Sequence, residues 1–259
     1  MAIDLIDNKI QNAFSKSAVQ YDVLAKLHRE IGRELIKKIS PIFPCTAVLD
    51  VGMGTGWFTE KLSHIFSEGA VIGLDFSSGM IDAARKVKGS FQIVQAKAQA
   101  LPFKDETFDI ITSNLAYQWM DLGTTFADCH RALKKDGTLS VTMFARETLN
   151  ELFIALEQCI KNKDAFTIHR LASEEDIRSA IVTAGFHEIH ITSERIKVRF
   201  PDFLSLVKWI KDIGANALER DFYVGRDLLT RTAEYYENNY KDRLGIFATF
   251  EVVWLTAQK

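Results

Sequence analysis

A short apolar run, Ala47-Val48-Leu49-Asp50-Val51, passes directly into Gly52-Met53-Gly54-Thr55-Gly56, and a helix-like stretch from Trp57 to Phe66 follows. Strand, glycine turn and helix in this order confine the chain to the α/β folds, because such a turn feeds a crossover helix back over a parallel sheet. AVIGLD (70–75) repeats the unit with a helix over Gly79 to Val87, and FQIVQA (91–96), FDIITSN (108–114) and TLSVTMF (138–144) supply three more apolar strands. Alternation at this spacing predicts a doubly wound, parallel sheet covered on both faces.

Helices are expected on either side of this core. From Ile10 to Ile39 apolar residues recur at three- and four-residue steps, as in amphipathic helices ended before Pro41. After Ala145 come a helix over Thr148 to Ile160 and another begun at Ser173, with Asp176 three residues on. HEIHIT (187–192) and RIKVRF (195–200) read as two strands, Pro201 to Ile213 and Val224 to Tyr240 as helices. GIFATFEVVWLTA (245–257), β-branched and aromatic, is expected to pair at one edge of the sheet, in an antiparallel sense.

Bulk properties remove several classes of function. At 259 residues the chain can bury a large core without disulfides or metals, and one domain is the economical organisation. With 32 basic against 34 acidic residues, no global field points to nucleic acid or an anionic membrane. Cys45, Cys129 and Cys159 are odd in number and form no CxxC pair, which argues against a disulfide framework or zinc site and for a reducing, cytoplasmic setting. MAIDLIDNKIQN lacks the apolar core of a signal peptide, and no later stretch approaches membrane-spanning length. His28, His64, His130, His169, His187 and His190 form no ligand constellation, and the pair in HEIH faces opposite sides of a strand. They are expected to be structural or surface residues.

The glycine turn is more informative. It reads GxGxG followed by Trp57, without the third glycine of a dinucleotide fingerprint, and GxxxxGK[ST] is absent, so neither a dinucleotide nor a nucleoside triphosphate is favoured. Asp75 stands 23 residues after Gly52, at the end of the second strand, where a carboxylate can accept both hydroxyls of a ribose. Either feature alone fits a structural turn or a helix cap. Together, in register with two strands, they point to a nucleoside site.

LDVGMGTG, GLDFS, ALPF, FDIITSNLAYQW and LKKDGTL, in that order between Val48 and Leu139, resemble the successive motifs of class I S-adenosylmethionine-dependent methyltransferases. The resemblance implies a mostly parallel seven-stranded Rossmann-like sheet and S-adenosylmethionine as cofactor. It places Asp50 and the turn of Gly52, Gly54, Thr55 and Gly56 against the methionine part, and Asp75 at the ribose. That family often has an acidic residue after the third strand to accept from the adenine amine. Lys97 stands here instead and cannot accept, so either Gln99 or the Ala98 carbonyl is expected to do so, or adenine is held chiefly by apolar contacts such as Phe76 with reduced cofactor affinity; Asn114 completes the set.

AFSKSAVQYD (13–22), NLAYQW (114–119) and IKDIGANAL (210–218) carry a narrower resemblance, to the malonyl-acyl-carrier-protein O-methyltransferases of biotin synthesis, over nearly the whole chain. It implies one domain over residues 1–259: a helical cap (1–40), a cofactor-binding core (45–145) and a helical insertion over the acceptor site (200–243). The implied reaction moves a methyl group to the free carboxylate of malonyl-acyl-carrier protein, or of malonyl-coenzyme A, giving the ester that primes pimeloyl synthesis.

A carboxylate is already ionised at neutral pH, so the work is positioning, and no catalytic histidine is expected. Tyr21, Gln118 and Trp119 are expected around the sulfonium and acyl group, with Arg146 and Arg199 as candidates to grip the carboxylate. Lys208, Lys211, Arg220, Arg226 and Arg231 could form a docking face for an acidic carrier protein. A monomer with no nucleic-acid or membrane partner is expected. Two alternatives stay open: methylation of another small molecule, such as a quinone or carboxylate, and a non-catalytic module that binds the carrier protein.

Overall fold

β1 (Ala47–Val51) is buried along four of its five residues, as a strand covered by helices on both sides must be. The computed structural model describes residues 2–39, 45–160, 170–215 and 225–259. Around β1 lie β2 (Ala70–Asp75), β3 (Gln92–Gln95), β4 (Phe108–Asn114) and β5 (Leu133–Phe144), all mutually parallel. The crossovers carry α4 (Trp57–Ile65), α5 (Ser78–Ala84) and α6 (Leu122–Ala132), the last preceded by a 3₁₀ turn at Tyr117–Trp119. Alternate strand residues serve opposite faces. Leu49, Val51 and Ile111 pack beneath α6 with Phe126 and Cys129, whereas Val48 and Ile110 pack with Phe58 and Leu62 of α4.

The later elements are α7 (Asn150–Cys159), α8 (Glu174–Thr183), β6 (His187–Phe200), α9 (Phe203–Asp212), α10 (Arg226–Asn239), β7 (Lys241–Asp242) and β8 (Gly245–Gln258). Ser173 and Asp176 form the expected capping box at the start of α8. Strand order is β3-β2-β1-β4-β5-β8-β6, the seven strands expected, with the two-residue β7 paired to β8 off that path.

Two expectations are corrected. The closing strand is not at the edge: β8 runs antiparallel between β5 and β6, and β6 forms the edge. Side chains explain the order, since β8 is apolar toward both faces and largely buried, whereas β6 alternates charged residues and is largely exposed. HEIHIT and RIKVRF are also one strand, because Ser193 and Glu194 stay in register opposite Val253 and Val252 and the Ser193 hydroxyl donates to Glu251 (3.0 Å).

Winding outward from β1 in both directions leaves the reversal point between β1 and β4, where open sheets of this kind form a crevice at the strands' carboxyl ends. The N-terminal elements roof that crevice: α1 (Ala2–Ser17), α2 (Tyr21–Leu24) and α3 (Lys26–Ile39). Gln11 of α1 donates to the Phe76 carbonyl (2.7 Å), and the Ser15 and Ser77 hydroxyls share a hydrogen bond (2.9 Å). A Cβ on Gly79 would stand 2.5 Å from the Ser15 carbonyl oxygen, so only glycine lets α1 lie this close to α5. On the other flank the Trp209 indole of α9 donates to the Leu24 carbonyl (3.3 Å), closing the roof against the late helices. Among the described residues no helix is long and apolar enough to cross a membrane.

Candidate active site at the carboxyl ends of the first and fourth strands

The turn after β1 has left-handed backbone at Gly52 (φ 74°), Gly54 (φ 56°) and Gly56 (φ 85°). The Gly52 and Met53 amides donate to the Leu74 carbonyl (2.7 and 3.0 Å), tying the turn to β2. The glycines differ in what they face. A Cβ on Gly52 would stand 2.4 Å from Ala116 Cβ, whereas one on Gly54 would meet nothing within 4 Å. Gly52 permits the packing of the β4 loop, and Gly54 exposes bare backbone to the cleft.

Two buried aspartates flank the turn. Asp75 accepts from the Gly54 amide (2.9 Å) and the Ser77 amide (2.8 Å), and burial raises its pKa to about 6 against these hydrogen bonds. Among the described residues Asp50 accepts from the Thr59 hydroxyl alone (2.6 Å), through Oδ2, and its Oδ1 is buried without a partner. Burial first, and the negative charge of Asp75 as a smaller cause, raise Asp50 to about 7 against the Thr59 hydrogen bond. A buried, half-satisfied carboxylate is costly, which marks Asp50 as a candidate functional group.

The cleft bounded by Gly52, Gly54 and Asp75 encloses about 720 Å³ with its mouth included, and Phe76, Lys97, Ala98 and Gln99 continue its wall past β2 and β3. Asn114, at the end of β4, lines it too, but both ends of its amide are engaged: it donates to the His28 carbonyl (2.9 Å) and accepts from Thr142 (3.1 Å). Asn114 thereby pins α3 over the strand end. Leu115 then takes a left-handed conformation (φ 55°), which reverses the chain into the 3₁₀ turn.

Within that turn Gln118 donates to the Leu115 carbonyl (2.8 Å) and accepts from the Phe144 amide (3.4 Å). Trp119 stands edge-on to Phe14 of α1 at 5.3 Å between ring centroids. Both line a second hollow of about 540 Å³, with Phe144, Leu149, Trp209 and Phe250 among its apolar walls. A smaller pocket beside Asp50 is lined by Asp22, Arg29, Thr55 and Trp57. Thr55 donates to Asp22 (2.7 Å), Asp22 pairs with Arg29 (3.2 Å), and Arg29 lies over the Trp57 ring. Tyr21 lines all three spaces. Burial, together with Asp75 and Asp22, holds its phenol pKa far above the usual range, so the hydroxyl stays neutral.

Tyr21, Gln118 and Trp119 are thus brought together with Asp50, Gly52, Gly54, Thr55, Asp75, Phe76, Ala98, Gln99 and Asn114. Gly56 stands apart, packed on Ala84 as the residue that starts α4. The two arginines are not brought in. Arg146 pairs with Asp176 (3.3 Å) and Arg199 with Asp242 (2.6 Å), both exposed, and neither lines any of the three spaces. On the late helices Lys208 is bonded to Asp212, and Arg231 to Asp227 and the Cys159 carbonyl. Arg220 and His169 lie outside the described residues.

Sequence reasoning missed Phe14, Arg29, Trp57 and above all His28, which lines both the pocket beside Asp50 and the apolar hollow. The helical period of α3 marks which residues share a face, but not that this face overhangs a cleft.

A family model described as a methyltransferase domain matches residues 49–141. The malonyl-[acyl-carrier protein] O-methyltransferase of Methylococcus capsulatus is 31% identical, over 95% of this chain and 92% of the relative. The protein of the same description from Gallionella capsiferriformans is 32% identical, over 98% and 92%. Among solved structures, YcgJ of Bacillus subtilis shares the fold at TM-score 0.60 and 17% identity, over 88% of this chain and 98% of that one. So does Haemonchus contortus phosphoethanolamine N-methyltransferase 2, solved with S-adenosyl-L-methionine, at TM-score 0.55 and 18% identity, over 88% and 52%. With a turn, two aspartates and a roof of this kind, and with relatives above 30% identity from end to end, the chain belongs to the malonyl-[acyl-carrier protein] O-methyltransferase family.

Proposed function

We propose that this chain transfers a methyl group from S-adenosylmethionine to the free carboxylate of a malonyl thioester carried on acyl-carrier protein, giving the methyl ester that enters pimeloyl synthesis for biotin. One observation carries the reading: the cleft along Gly54 and Asp75, with the unsatisfied Asp50 carboxylate in the smaller pocket beside it, meets an apolar, aromatic-walled hollow at Tyr21. A nucleoside-bearing methyl donor suits the first space and an acyl thioester the second.

The residues present fit the cofactor. The free Oδ1 of Asp50 offers an acceptor, Gly54 offers backbone with no side chain in the way, and Asp75 offers a carboxylate for ribose hydroxyls. Phe76, Ala98 and Gln99 form the wall for the base, with the acceptor role that Lys97 cannot fill passing to Gln99 or the Ala98 carbonyl. When bound, S-adenosylmethionine supplies an electrophilic methyl on a positively charged sulfur. Asn114 and Gln118 spend their amides on the fold, so they set the shape of the junction rather than touch protons. Trp119, Phe14 and Phe144 shut out water around an anionic acceptor, which favours a reaction that cancels opposite charges. No general base is called for, because a carboxylate is ionised at neutral pH.

We read residues 1–259 as a single working unit, with the N-terminal cap and the 200–243 segment closing over the 45–145 core. Incubation with methyl-labelled S-adenosylmethionine and malonyl, succinyl and acetyl thioesters of carrier protein and coenzyme A tests the function. Label recovered as methanol after mild alkali is expected from the malonyl thioester and not from the acetyl one. Failure to label malonyl carrier protein, with calorimetry showing the cofactor bound, dismisses the substrate; no binding dismisses the cofactor.

A further inference from the structure

Nothing in the acyl hollow answers the charge of a carboxylate with a charge of its own: its walls contain no lysine or arginine among the described residues, and Arg146 and Arg199 are paired on the outer surface. Most of its polar groups are also committed. Gln118 uses both ends of its amide, the Thr148 hydroxyl is exchanged with Glu251 backbone (3.2 and 3.1 Å), and the Trp209 indole donates to Leu24. What remains are the second N–H of the Gln118 amide, the Trp119 indole, the Tyr21 hydroxyl and the His28 imidazole. Trp119 and Tyr21 join the hollow to the main cleft, whereas of these groups only Tyr21 and His28 also line the pocket beside Asp50, where that pocket joins the hollow.

The His28 ring is fixed edge-on between Tyr21 (5.8 Å) and Phe144 (5.7 Å), and its backbone carbonyl is held by Asn114. Its Nδ1 is buried with no partner among the described residues. Burial also lowers the ring's pKa to about 4, so the imidazole is neutral and carries one proton. A proton on Nδ1 would be a buried donor with nothing to bond, which is costlier than an idle lone pair. The proton therefore sits on Nε2, the nitrogen left available to the two spaces.

Resting on the malonyl reading above, we propose that His28 is the residue that orients the substrate: its Nε2–H donates to one oxygen of the malonyl carboxylate and leaves the other aimed at the methyl group. A neutral donor suits this step better than an arginine fork. A bidentate cation would occupy both oxygens and stabilise the ground-state charge that must be spent in the transition state. No proton is transferred, which is consistent with an acceptor that needs no base.

His28→Gln and His28→Met test the assignment as a pair, since the two side chains are alike in length and flexibility and differ in having an amide donor. In each, kcat and KM for malonyl-carrier protein and the affinity for S-adenosylhomocysteine by calorimetry are measured. We expect the two variants to bind S-adenosylhomocysteine within about twofold of each other; His28→Met loses roughly 10- to 100-fold in kcat/KM, the scale of one hydrogen bond to a charged group, and His28→Gln recovers most of it. Equal loss in the two variants, or no loss in His28→Met, overturns the role of His28 while the malonyl reading stands. A wild type that binds cofactor but esterifies no malonyl thioester overturns both.

Discussion

Replacing Asp50 by asparagine should stabilise the cofactor-free protein while disabling it. In the fold this carboxyl is 1% exposed, has one oxygen without a partner, and titrates near 7 instead of the ordinary 3.8. Because the folded pKa lies above the unfolded one, the ionised form is disfavoured by folding, and the penalty is complete above pH 7 and fades as pH falls toward 4. About three pH units correspond to roughly 4 kcal/mol. Asparagine keeps the shape and an acceptor for Thr59 but must bury its own amide, so we expect a net gain of about 1 to 3 kcal/mol at pH 8. At about 2 to 4 °C per kcal/mol for a chain of this size, Tm should rise by several degrees. At pH 5 the wild-type carboxyl already carries its proton when folded, so the penalty falls by roughly 2.6 kcal/mol and the net gain should vanish or reverse. Thermal melts of both proteins at pH 5 and pH 8, without cofactor, read the effect, and calorimetry should show weaker S-adenosylmethionine binding in Asp50→Asn. A lower Tm for Asp50→Asn at pH 8, or the same displacement at both pH values, refutes the reasoning.

The same carboxylates give binding a pH dependence of opposite sign. A cationic ligand prefers Asp50 and Asp75 ionised, so S-adenosylmethionine affinity should rise with pH through about 6 to 7 and level off above, with proton release on binding at pH 6.5 visible by calorimetry in buffers of different ionisation enthalpy. Gly54→Ala should cost about 1 kcal/mol of stability for its left-handed backbone and weaken cofactor binding at least tenfold, roughly 1.4 kcal/mol, by filling the cleft. Gly52→Ala should lower Tm more, because its Cβ would collide with Ala116; equal Tm losses in the two variants would show that the cleft-facing and packing roles are wrongly divided. Reversing charge at Lys208 and Lys211 should slow turnover of malonyl-carrier protein several-fold more than that of malonyl-coenzyme A, and equal slowing would dismiss a docking face on α9.

The parts of this protein that obey local rules were readable in the residues. An apolar strand running into GxGxG, and Asp75 at the end of the next strand, locate the cleft because backbone conformation and strand register are local properties. The capping box at Ser173 is local as well. Position across the sheet is not: GIFATFEVVWLTA reads as a strand from its composition, but its place inside the sheet depends on β6 lying beyond it. Arg146 and Arg199 follow or end strands, as active-site residues often do, yet their side chains turn outward to Asp176 and Asp242, partners 30 and 43 residues away. His28 was passed over for the converse reason. Nothing in a helix's own pattern says which loop of a distant strand its inner face will cover, and the Asn114 amide that fixes this is 86 residues away.

The bonds from Gln11 and Ser15 to Phe76 and Ser77 have a consequence for how the two ligands sense each other. The stretch at which a ribose would rest is the stretch from which α1 hangs, and α1 also carries Phe14 into the acyl hollow. Settling of a nucleoside against Asp75 would pull on the same beam that shapes the berth for the acyl chain. Loading the donor should therefore prepare the acceptor's seat, and by reciprocity a bound acyl group should tighten the hold on the donor.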